Sequence, residues 1–429
     1  MIAVPFIYFS ILLFLIYMKN GKRIDIAFYI LSIYWISAFF SILIDVFDLY
    51  SRTLGGYRVT GGATLAYCGL ITLCLLPFIF FSSNRIVEIR KIKNPNFLKF
   101  LSKITFAYFV IYLIISFPLL YRVLTGNIGE IRADHYAGYN DEDTVLTSLP
   151  FIIRLPFTFF NLFTGCPWIL IFLGFYSLVI QKLPMKYSVL FFMASLIGII
   201  QNISQAGRSD TVYWLISFGA CYIFFLPFFS KSLIKKIRKF LVFLVVIFLL
   251  YLLMSTISRF SDSSEGTEGG LISYAGCSYI NFCYFYDTFR CPIPSLEIIM
   301  PFTYYVMGLS SGSIVEFQRT LSWITGEELG SFYTFMGQIA VTTSNQIMIA
   351  YCILLVVLSF AFVYRIRKGK VKLLACFFYL VFSSVLFLGL FSHFYGLPSK
   401  TFSVIAFAFI FVRLRSVNKS TLINRLEEK

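Results

Sequence analysis

The sequence predicts an all-α, polytopic integral membrane protein with about eleven spans, and three observations lead to this fold class. First, 59% of the 429 residues are hydrophobic, 13% are charged, and the mean hydropathy is +0.83, whereas a soluble domain carries about 25% charged residues. Second, apolar runs of roughly 17–25 residues, long enough to cross ~30 Å of hydrocarbon, recur along the chain. Third, the ~10-residue alternating pattern of an outer-membrane barrel is absent, so the runs form helices that satisfy their own backbone groups.

The predicted spans follow one another with short connections except at two places. They cover approximately 2–18, 26–44, 64–82, 104–121, 165–181, 187–205, 211–228, 240–257, 346–364, 373–391 and 400–414. No basic segment precedes the first run, and Lys19, Lys22 and Arg23 follow it. This arrangement predicts an uncleaved first span rather than a removed signal peptide.

The charges divide the connections into two alternating sets. One set, at 19–25, 82–103, 182–186, 229–239, 365–372 and from 413 onward, holds 26 Lys and Arg against four acids; the rest of the chain holds ten bases and sixteen acids. Short basic loops stay in the cytoplasm, so we predict an outer N-terminus and a cytoplasmic C-terminus. The same placement accounts for the net charge of +16 as a topology signal, and no nucleic-acid partner is expected.

The single transmembrane domain, 1–429, therefore has two long loops on its predicted outer side, 122–164 and 258–345. The second loop contains apolar pieces at 298–317 and 331–345, which are too short or too interrupted to span and are candidates for re-entrant or interfacial helices. Cys277, Cys283 and Cys291 share this loop. An outer compartment permits a disulfide, and the pairing stays open.

The sequence offers no convincing metal site. Asp141-Glu142-Asp143 matches the D-x-D pattern of metal-dependent glycosyltransferases that use nucleotide sugars. Nucleotide sugars are cytoplasmic, however, while this run lies on the predicted outer side, so we interpret it as a solvated acidic surface. Paired CxxC spacing, which would indicate zinc, is also missing. We therefore expect neither a metal nor another cofactor.

Arginine dominates the cations on the predicted outer side. Nine of these ten cations are arginine, although the chain has equal numbers of both types; they are Arg52, Arg58, Arg122, Arg132, Arg154, Arg208, Arg259, Arg290, Arg319 and Lys400. A guanidinium group forms two parallel hydrogen bonds to a phosphate or carboxylate and stays charged when partly desolvated. The excess predicts anion binding. The alternative is that these arginines pair with the outer acids or lie among lipid headgroups.

Arg208 has the best placement of the nine. It lies in Gln205-Ala206-Gly207-Arg208-Ser209-Asp210, at the predicted outer mouth of the seventh span. Ser209 or Asp210 can cap the following helix, whose N-terminal dipole favours an anion. Gly207 lets the backbone approach a ligand closely. The alternative is that Arg208 is an interfacial residue paired with Asp210.

Candidate general bases are few, because the chain has only two histidines, His135 and His393, both on the predicted outer side. A neutral imidazole suits proton removal from a sugar hydroxyl, and Asp134 can orient His135. Glu327 and Glu328 are rival bases. Solvation is the alternative for each histidine, and capping or salt-bridging is the alternative for each glutamate.

Three segments carry a resemblance to a known family. They are Gly207-Arg208-Ser209 at the opening of a span, the arginine-containing first long loop at 122–154, and the stretch from Thr325-Gly326 to Gly337 before a late span. In these segments and in its topology the chain resembles the oligosaccharide repeat-unit polymerases (O-antigen polymerase, Wzy type). The family often continues with an Asp/Gly-rich stretch, where this chain has Val341-Thr342-Thr343-Ser344-Asn345.

The resemblance implies a GT-C-like glycosyltransferase at the periplasmic face of the bacterial inner membrane. Such an enzyme would polymerise undecaprenyl-pyrophosphate-linked oligosaccharides, as in O-antigen or a similar surface polysaccharide, by metal-independent inverting transfer. Its partners would be the lipid-linked oligosaccharide and membrane lipid, and whether a chain-length regulator binds stays open. The predicted pyrophosphate-binding residues are Arg208, Arg154, Arg259, Arg122, Arg132 and Arg319, and the predicted catalytic residues are Arg208, His135 and Glu327.

Other functions fit parts of the same pattern. An O-antigen ligase shares the donor, the membrane and the outer Arg/His chemistry, but it transfers the finished chain to the lipid A core. A lipid-linked oligosaccharide flippase or other transporter would carry ionisable residues within spans and a related pair of broken helices, whereas the charges here lie mostly in loops. A purely structural membrane protein would not need nine outer arginines.

Overall fold

Nearly all secondary structure in the described residues is helical, which confirms the predicted all-α class. The computed structural model describes residues 1–49, 59–126, 150–204, 207, 209–239, 242, 246, 250, 266–310, 314–327, 329 and 333–414. Its helices are, in chain order, α1 (Val4–Lys19), α2 (Ile26–Val46), α3 (Gly61–Phe80), α4 (Pro95–Thr125), α5 (Phe151–Thr164), α6 (Pro167–Phe175), α7 (Met185–Ala194), α8 (Ile197–Ser204), α9 (Ser209–Phe225), α10 (Gly266–Thr288), α11 (Pro301–Val306), α12 (Ile314–Thr325), α13 (Phe335–Thr342), α14 (Asn345–Val363), α15 (Leu373–Phe387) and α16 (Pro398–Arg413).

The remaining regular structure is short. Helix α6 continues as a π-helical turn at Tyr176–Ile180. Four 3₁₀ turns follow α3, α9, α14 and α15, and in that order they are Ser83–Arg85, Leu226–Phe228, Tyr364–Lys368 and Phe394–Gly396. Residues 231–239 are also helical. Two strands, β1 (Glu88–Ile89) and β2 (Lys370–Val371), pair in parallel.

The protein has the helices of a membrane protein. Six stretches in the described residues are long and apolar enough to cross a membrane: Ile26–Val46, Gly61–Arg85, Pro95–Val123, Met185–Ser204, Ser209–Phe228 and Asn345–Arg367. Shorter apolar helices occur at Val4–Lys19, Pro167–Ile180 and Leu373–Phe387. The predicted span 240–257 lies outside the described residues except at 242, 246 and 250. The count of eleven spans and the GT-C likeness stay predictions.

Polar residues just before several helices fix where those helices begin. Asp25 accepts a hydrogen bond from the Phe28 amide at 2.9 Å at the start of α2, and Ser344 accepts one from the Ile347 amide at 3.3 Å at the start of α14. Such caps satisfy amides that the first helical turn leaves without partners. Helices α1, α4, α6 and α16 have proline in the first two positions, where a missing N–H costs nothing, and α4 also has a polar cap at Asn94.

The basic connections meet at one end of the helices. Strands β1 and β2 join the connection after α3 to the one after α14. Asn84 donates to the Ile24 carbonyl at 3.4 Å, and the Tyr176 hydroxyl donates to the Arg90 carbonyl at 2.9 Å. Connections that the charge pattern assigns to one side therefore contact one another. Which side of the membrane this end faces stays a prediction.

Helix α10 is part of the helical core, although its residues lie in the predicted second long outer loop. The Ser37 hydroxyl on α2 donates to the Ala275 carbonyl at 2.8 Å, and the Ser41 hydroxyl donates to the Gly276 carbonyl at 2.6 Å. Tyr279 shares a 2.7 Å hydrogen bond with Thr64 on α3. Small residues and hydroxyls, rather than a long apolar run, hold this helix in place.

The two apolar pieces of the second long loop form short helices. Helix α11 and the start of α12 lie in 298–317, and α13 lies in 331–345. All eight residues of α13 are buried, and eight helical residues cover only ~12 Å. The backbone before α13 pairs with the segment after α15, because the Phe335 amide donates to the Gly389 carbonyl at 2.7 Å and the Tyr333 amide donates to the Phe391 carbonyl at 3.2 Å.

Candidate functional site

A cavity of about 560 Å³ lies where α8 ends, where α9 and α13 begin, and where the segment 391–400 joins α15 to α16. Helix α15 begins directly after β2 and ends four residues before Phe391, so its length separates the cavity from the basic end of the protein. The volume is within the range of small-molecule sites. Because the cavity is at the end that carries the predicted outer loops, it is the candidate functional site.

Carboxamide side chains make up much of the polar lining. Four of them come from three separate parts of the chain and form what we call the carboxamide wall: Gln201, Asn202, Gln318 and Gln338. Each carboxamide both donates and accepts hydrogen bonds. The wall can therefore bind a neutral polar ligand.

Hydrogen bonds hold several lining side chains in fixed positions. Tyr213 on α9 shares a 3.0 Å hydrogen bond with Ser392, and the Trp214 indole donates to the Ser195 hydroxyl at 2.8 Å. Gln318 donates to the Tyr333 hydroxyl at 2.5 Å, and that hydroxyl donates to the Leu329 carbonyl at 2.7 Å. These bonds link α7, α9, α12 and the segment after α15. A ligand therefore meets a largely preorganised surface, which lowers the entropic cost of binding.

The described lining residues of the cavity include one carboxylate and one ammonium group. Asp210 lies in the first turn of α9, and Lys400 lies near the start of α16; the two interact electrostatically. The Lys400 ammonium also lies 4.9 Å from the centre of the Phe394 ring. A carboxylate can accept a proton and an ammonium can bind an anion, so this pair can supply a general base and an anion-binding group.

His393 is buried at the edge of the cavity, in the turn between α15 and α16. Its exposed fraction is 5%, and burial lowers the pKa of the imidazole to about 4. The ring is therefore neutral at pH 7. Its amide donates to the Gln338 side-chain oxygen at 2.5 Å, while its Nδ1 has no hydrogen-bond partner in the described part of the chain.

Several of the predicted site residues lie outside the described residues: Arg208, His135, Arg132 and Arg259. The neighbours of Arg208 are described, however. Ser209 lines the cavity and accepts a 3.3 Å hydrogen bond from Asn202, and the Gly207 amide donates to the Asn202 carbonyl at 2.7 Å. Ser209, the residue that follows Arg208 in the sequence, is therefore part of the candidate site.

The other predicted residues are not among the lining residues. The backbone of Arg154 belongs to α5, and its side chain is outside the described set. Arg122 is exposed in the last turn of α4, and Arg319 is half-buried on α12, next in sequence to Gln318. Glu327 accepts a 2.8 Å hydrogen bond from the Tyr284 hydroxyl. Their predicted roles stay predictions.

The cavity also contains residues for which the sequence predicts another role or none. The sequence predicts a cap or an arginine partner at Asp210 and an outer cation at Lys400, and no sequence pattern marks Gln318 or Gln338. A signal for the segment that carries His393 is its polar, Gly- and Pro-containing composition between two apolar runs.

Metal and disulfide chemistry have no described site. Among the described residues, no group of three His, Cys, Asp or Glu side chains is arranged to hold a metal ion. Cys277, Cys283 and Cys291, whose pairing the sequence leaves open, form no disulfide in the described part of the chain. Comparison of the chain with protein-family models, curated proteins and solved structures gives no match. Any functional conclusion therefore rests on the sequence and on the cavity.

Proposed function

We propose that the protein is a glycosyltransferase that polymerises polyprenyl-pyrophosphate-linked oligosaccharides at the outer face of the membrane, with the cavity as its active site. One observation carries the proposal. A cavity at the end of the helices that is distant from the basic connections contains Asp210, Lys400 and the carboxamide wall, and it also contains Ser209, which follows Arg208 in the sequence. A sugar-transfer site needs an anion-binding group, a base and hydrogen-bonding surface for sugar, and the cavity offers each of them.

The proposed reaction is a single displacement at the anomeric carbon of the donor. The acceptor hydroxyl oxygen forms a bond to C1, the bond between C1 and the pyrophosphate oxygen breaks, and the configuration at C1 inverts. Negative charge accumulates on the departing polyprenyl pyrophosphate. Arg208 and Lys400 stabilise this charge electrostatically, and such stabilisation is often the largest single contribution to catalysis.

Asp210 is our proposed general base. Its carboxylate takes the proton that the acceptor hydroxyl loses as the new glycosidic bond forms, which is a common task for carboxylates near a sugar hydroxyl. It is the one carboxylate among the described residues that line the cavity. The sequence-based candidates His135 and Glu327 remain rivals, and Glu327 already accepts a hydrogen bond from Tyr284.

The polyprenyl tail of the substrate needs an apolar surface near the cavity. Residues at and after the end of α11 expose apolar side chains: Tyr305, Val306, Met307 and Leu309. Helix α11 packs on α16 through Phe302 and Phe402, whose ring centres are 5.6 Å apart. Because α16 also carries Lys400, which lines the cavity, one helix contacts both the apolar surface and the site. A lipid can therefore lie along this surface while its head group enters the cavity.

Chain growth on lipid-linked repeat units in proteoliposomes tests the proposal. We expect Arg208→Ala and Asp210→Asn each to slow polymer growth by roughly 10²–10³-fold, and Arg208→Lys to retain more activity than Arg208→Ala. Arg290→Ala is the matched control, because Arg290 is an exposed outer arginine that donates to the Phe289 carbonyl at 2.8 Å and does not line the cavity. Unchanged polymer length in well-expressed Arg208→Ala protein would rule out the pyrophosphate role.

Cells that lack the protein separate the proposed activity from its alternatives. Loss of a polymerase leaves single repeat units on the lipid A core, whereas loss of a ligase leaves the core bare. Loss of a flippase instead leaves the lipid-linked repeat unit on the inner leaflet. Only the first pattern agrees with the proposal.

A further inference from the structure

Two buried hydrogen-bonding atoms beside the cavity have no partner in the described residues. They are the side-chain oxygen of Asn202 and the Nδ1 atom of His393, and both residues line the cavity. Buried polar atoms in folded proteins are normally paired, since leaving one unpaired is costly. Their position suggests that a ligand in the cavity supplies the missing partners.

A hydroxyl group fits both atoms. The Asn202 oxygen accepts hydrogen bonds only, so its partner must be a donor. The neutral imidazole of His393 has one donor and one acceptor nitrogen, and a hydroxyl can pair with Nδ1 in either tautomer. The other members of the carboxamide wall extend the same surface with groups that donate and accept. A compound with several hydroxyl groups matches this surface better than one with a single polar end.

The charges around the wall disfavour an acidic ligand. The described lining residues contain a single cation, Lys400, and it interacts with Asp210. A sugar carboxylate placed against the wall would lie near the Asp210 carboxylate, which repels it, and the described lining cation Lys400 already interacts with that carboxylate. Half-buried aromatic side chains from Tyr213 and Phe391 also line the cavity, and such rings suit contact with the apolar face of a sugar.

We propose that the carboxamide wall together with His393 is the subsite for the acceptor sugar, and that it selects an uncharged, hydroxyl-rich ring over a uronic acid. This inference rests on the proposed glycosyltransferase function and adds the class of sugar that the site accepts. Asn202 and His393 pair with hydroxyl groups of that ring. Asp210, on the neighbouring turn of α9, is then near the hydroxyl that reacts.

Saturation-transfer NMR on the full-length protein in lipid nanodiscs tests the subsite without requiring activity. The probes are neutral methyl glycosides of glucose, galactose, mannose, rhamnose and N-acetylglucosamine, together with the methyl glycosides of glucuronic and galacturonic acid. We expect at least one neutral glycoside to bind at least tenfold more tightly than either uronate. Absence of binding by every neutral glycoside, or equal binding by a uronate, would overturn the proposal.

Side-chain variants locate the binding. Asn202→Leu and Gln318→Met each remove hydrogen-bonding groups from the wall, and we expect each to weaken binding about tenfold, because one net hydrogen bond is worth roughly that factor. Gln181→Met is the matched control: Gln181 is outside the cavity and donates to the Tyr176 hydroxyl at 3.0 Å. Melting temperatures identify any variant that fails to fold. Gln338→Met is then measured in place of that variant. Equal weakening by Gln181→Met would place the binding elsewhere.

The outcomes distinguish this inference from the function on which it rests. Glycoside binding that depends on Asn202, in a protein whose Arg208→Ala variant still extends chains normally, keeps the subsite and removes the proposed pyrophosphate role. Loss of chain growth in Arg208→Ala and Asp210→Asn, without neutral glycoside binding, keeps the enzyme and removes the subsite.

Discussion

Replacing Gly276 by alanine should separate α10 from α2. A Cβ atom at Gly276 would lie 2.5 Å from the Phe40 carbonyl carbon and 2.6 Å from the Ser41 amide nitrogen. Non-bonded carbon atoms are stable at about 3.5–4.0 Å, so the helices must move apart by roughly 1 Å. Overpacking of this kind costs about 1–3 kcal/mol. The hydrogen bonds from Ser37 and Ser41 to α10 add about 0.6 kcal/mol each when they are lost.

The total loss is therefore about 2–4 kcal/mol. The unfolding entropy of a 429-residue chain is roughly 0.9 kcal/mol/K, so the melting temperature in detergent should fall by about 2–4 °C. Gly69→Ala is the matched control, because Gly69 lies within α3 and an added Cβ would meet nothing within 4 Å. That variant should be neutral or slightly stabilising. Thermal unfolding followed by tryptophan fluorescence compares the two variants. A monodisperse Gly276→Ala protein that melts within about 1 °C of wild type would refute the close packing of these helices.

Three further predictions follow from the caps, the buried histidine and the candidate bases. Burial lowers the pKa of His393 to about 4 from 6.5, so between these pH values only the unfolded chain binds the proton. The stabilising effect of the neutral imidazole should be complete above pH 6.5, and the free energy of unfolding should fall by roughly 2 kcal/mol between pH 7 and pH 5. A His393→Gln variant that melts with the same pH dependence would contradict this. Asp25→Ala should cost about 1 kcal/mol in thermal unfolding because the Phe28 amide loses its acceptor, while Asp25→Ser should keep most of the stability. Glu327→Gln should polymerise at close to the wild-type rate while Asp210→Asn does not, and the reverse result in the chain-growth assay would make Glu327 the base.

Hydropathy predicts the helices that consist of a continuous apolar run, because the side chains of such a helix are by themselves enough to stabilise it in lipid. The predicted span 346–364 differs by one residue at each end from α14, at Asn345–Val363. Helix α4 extends further, over Pro95–Thr125, because its cap at Asn94 and its polar first turns lie outside the apolar run from 104 to 121.

Helix α10 could not be predicted in the same way. Its sequence is rich in Gly, Ser, Tyr and Cys and has no long apolar run. It is helical and buried because Gly276 fits against the backbone of α2, and because Ser37 and Ser41 on α2 donate to its carbonyl groups. Those contacts depend on which helix α10 meets, which local composition does not specify.

The candidate site was predictable in part. The Gly207–Asp210 segment indicated the mouth of α9, and Ser209 and Asp210 do line the cavity. Other lining residues, such as Gln338 and His393, come from more than a hundred residues further along the chain. Side chains that are so far apart in sequence are brought together by helix packing, and no local sequence pattern predicts which of them will meet.

The position of α10 has a consequence for biosynthesis. Ser37 and the carbonyl it contacts at Ala275 are 238 positions apart, and a ribosome adds about 5–20 residues per second. Helix α2 therefore resides in the bilayer for on the order of 10–50 seconds before its partner has been translated. During that interval the part of α2 at Phe40 and Ser41 that α10 covers in the folded protein lacks this partner. A nascent chain that stops before residue 266 leaves the Ser37 and Ser41 hydroxyls without the α10 carbonyl groups to which they donate in the finished protein.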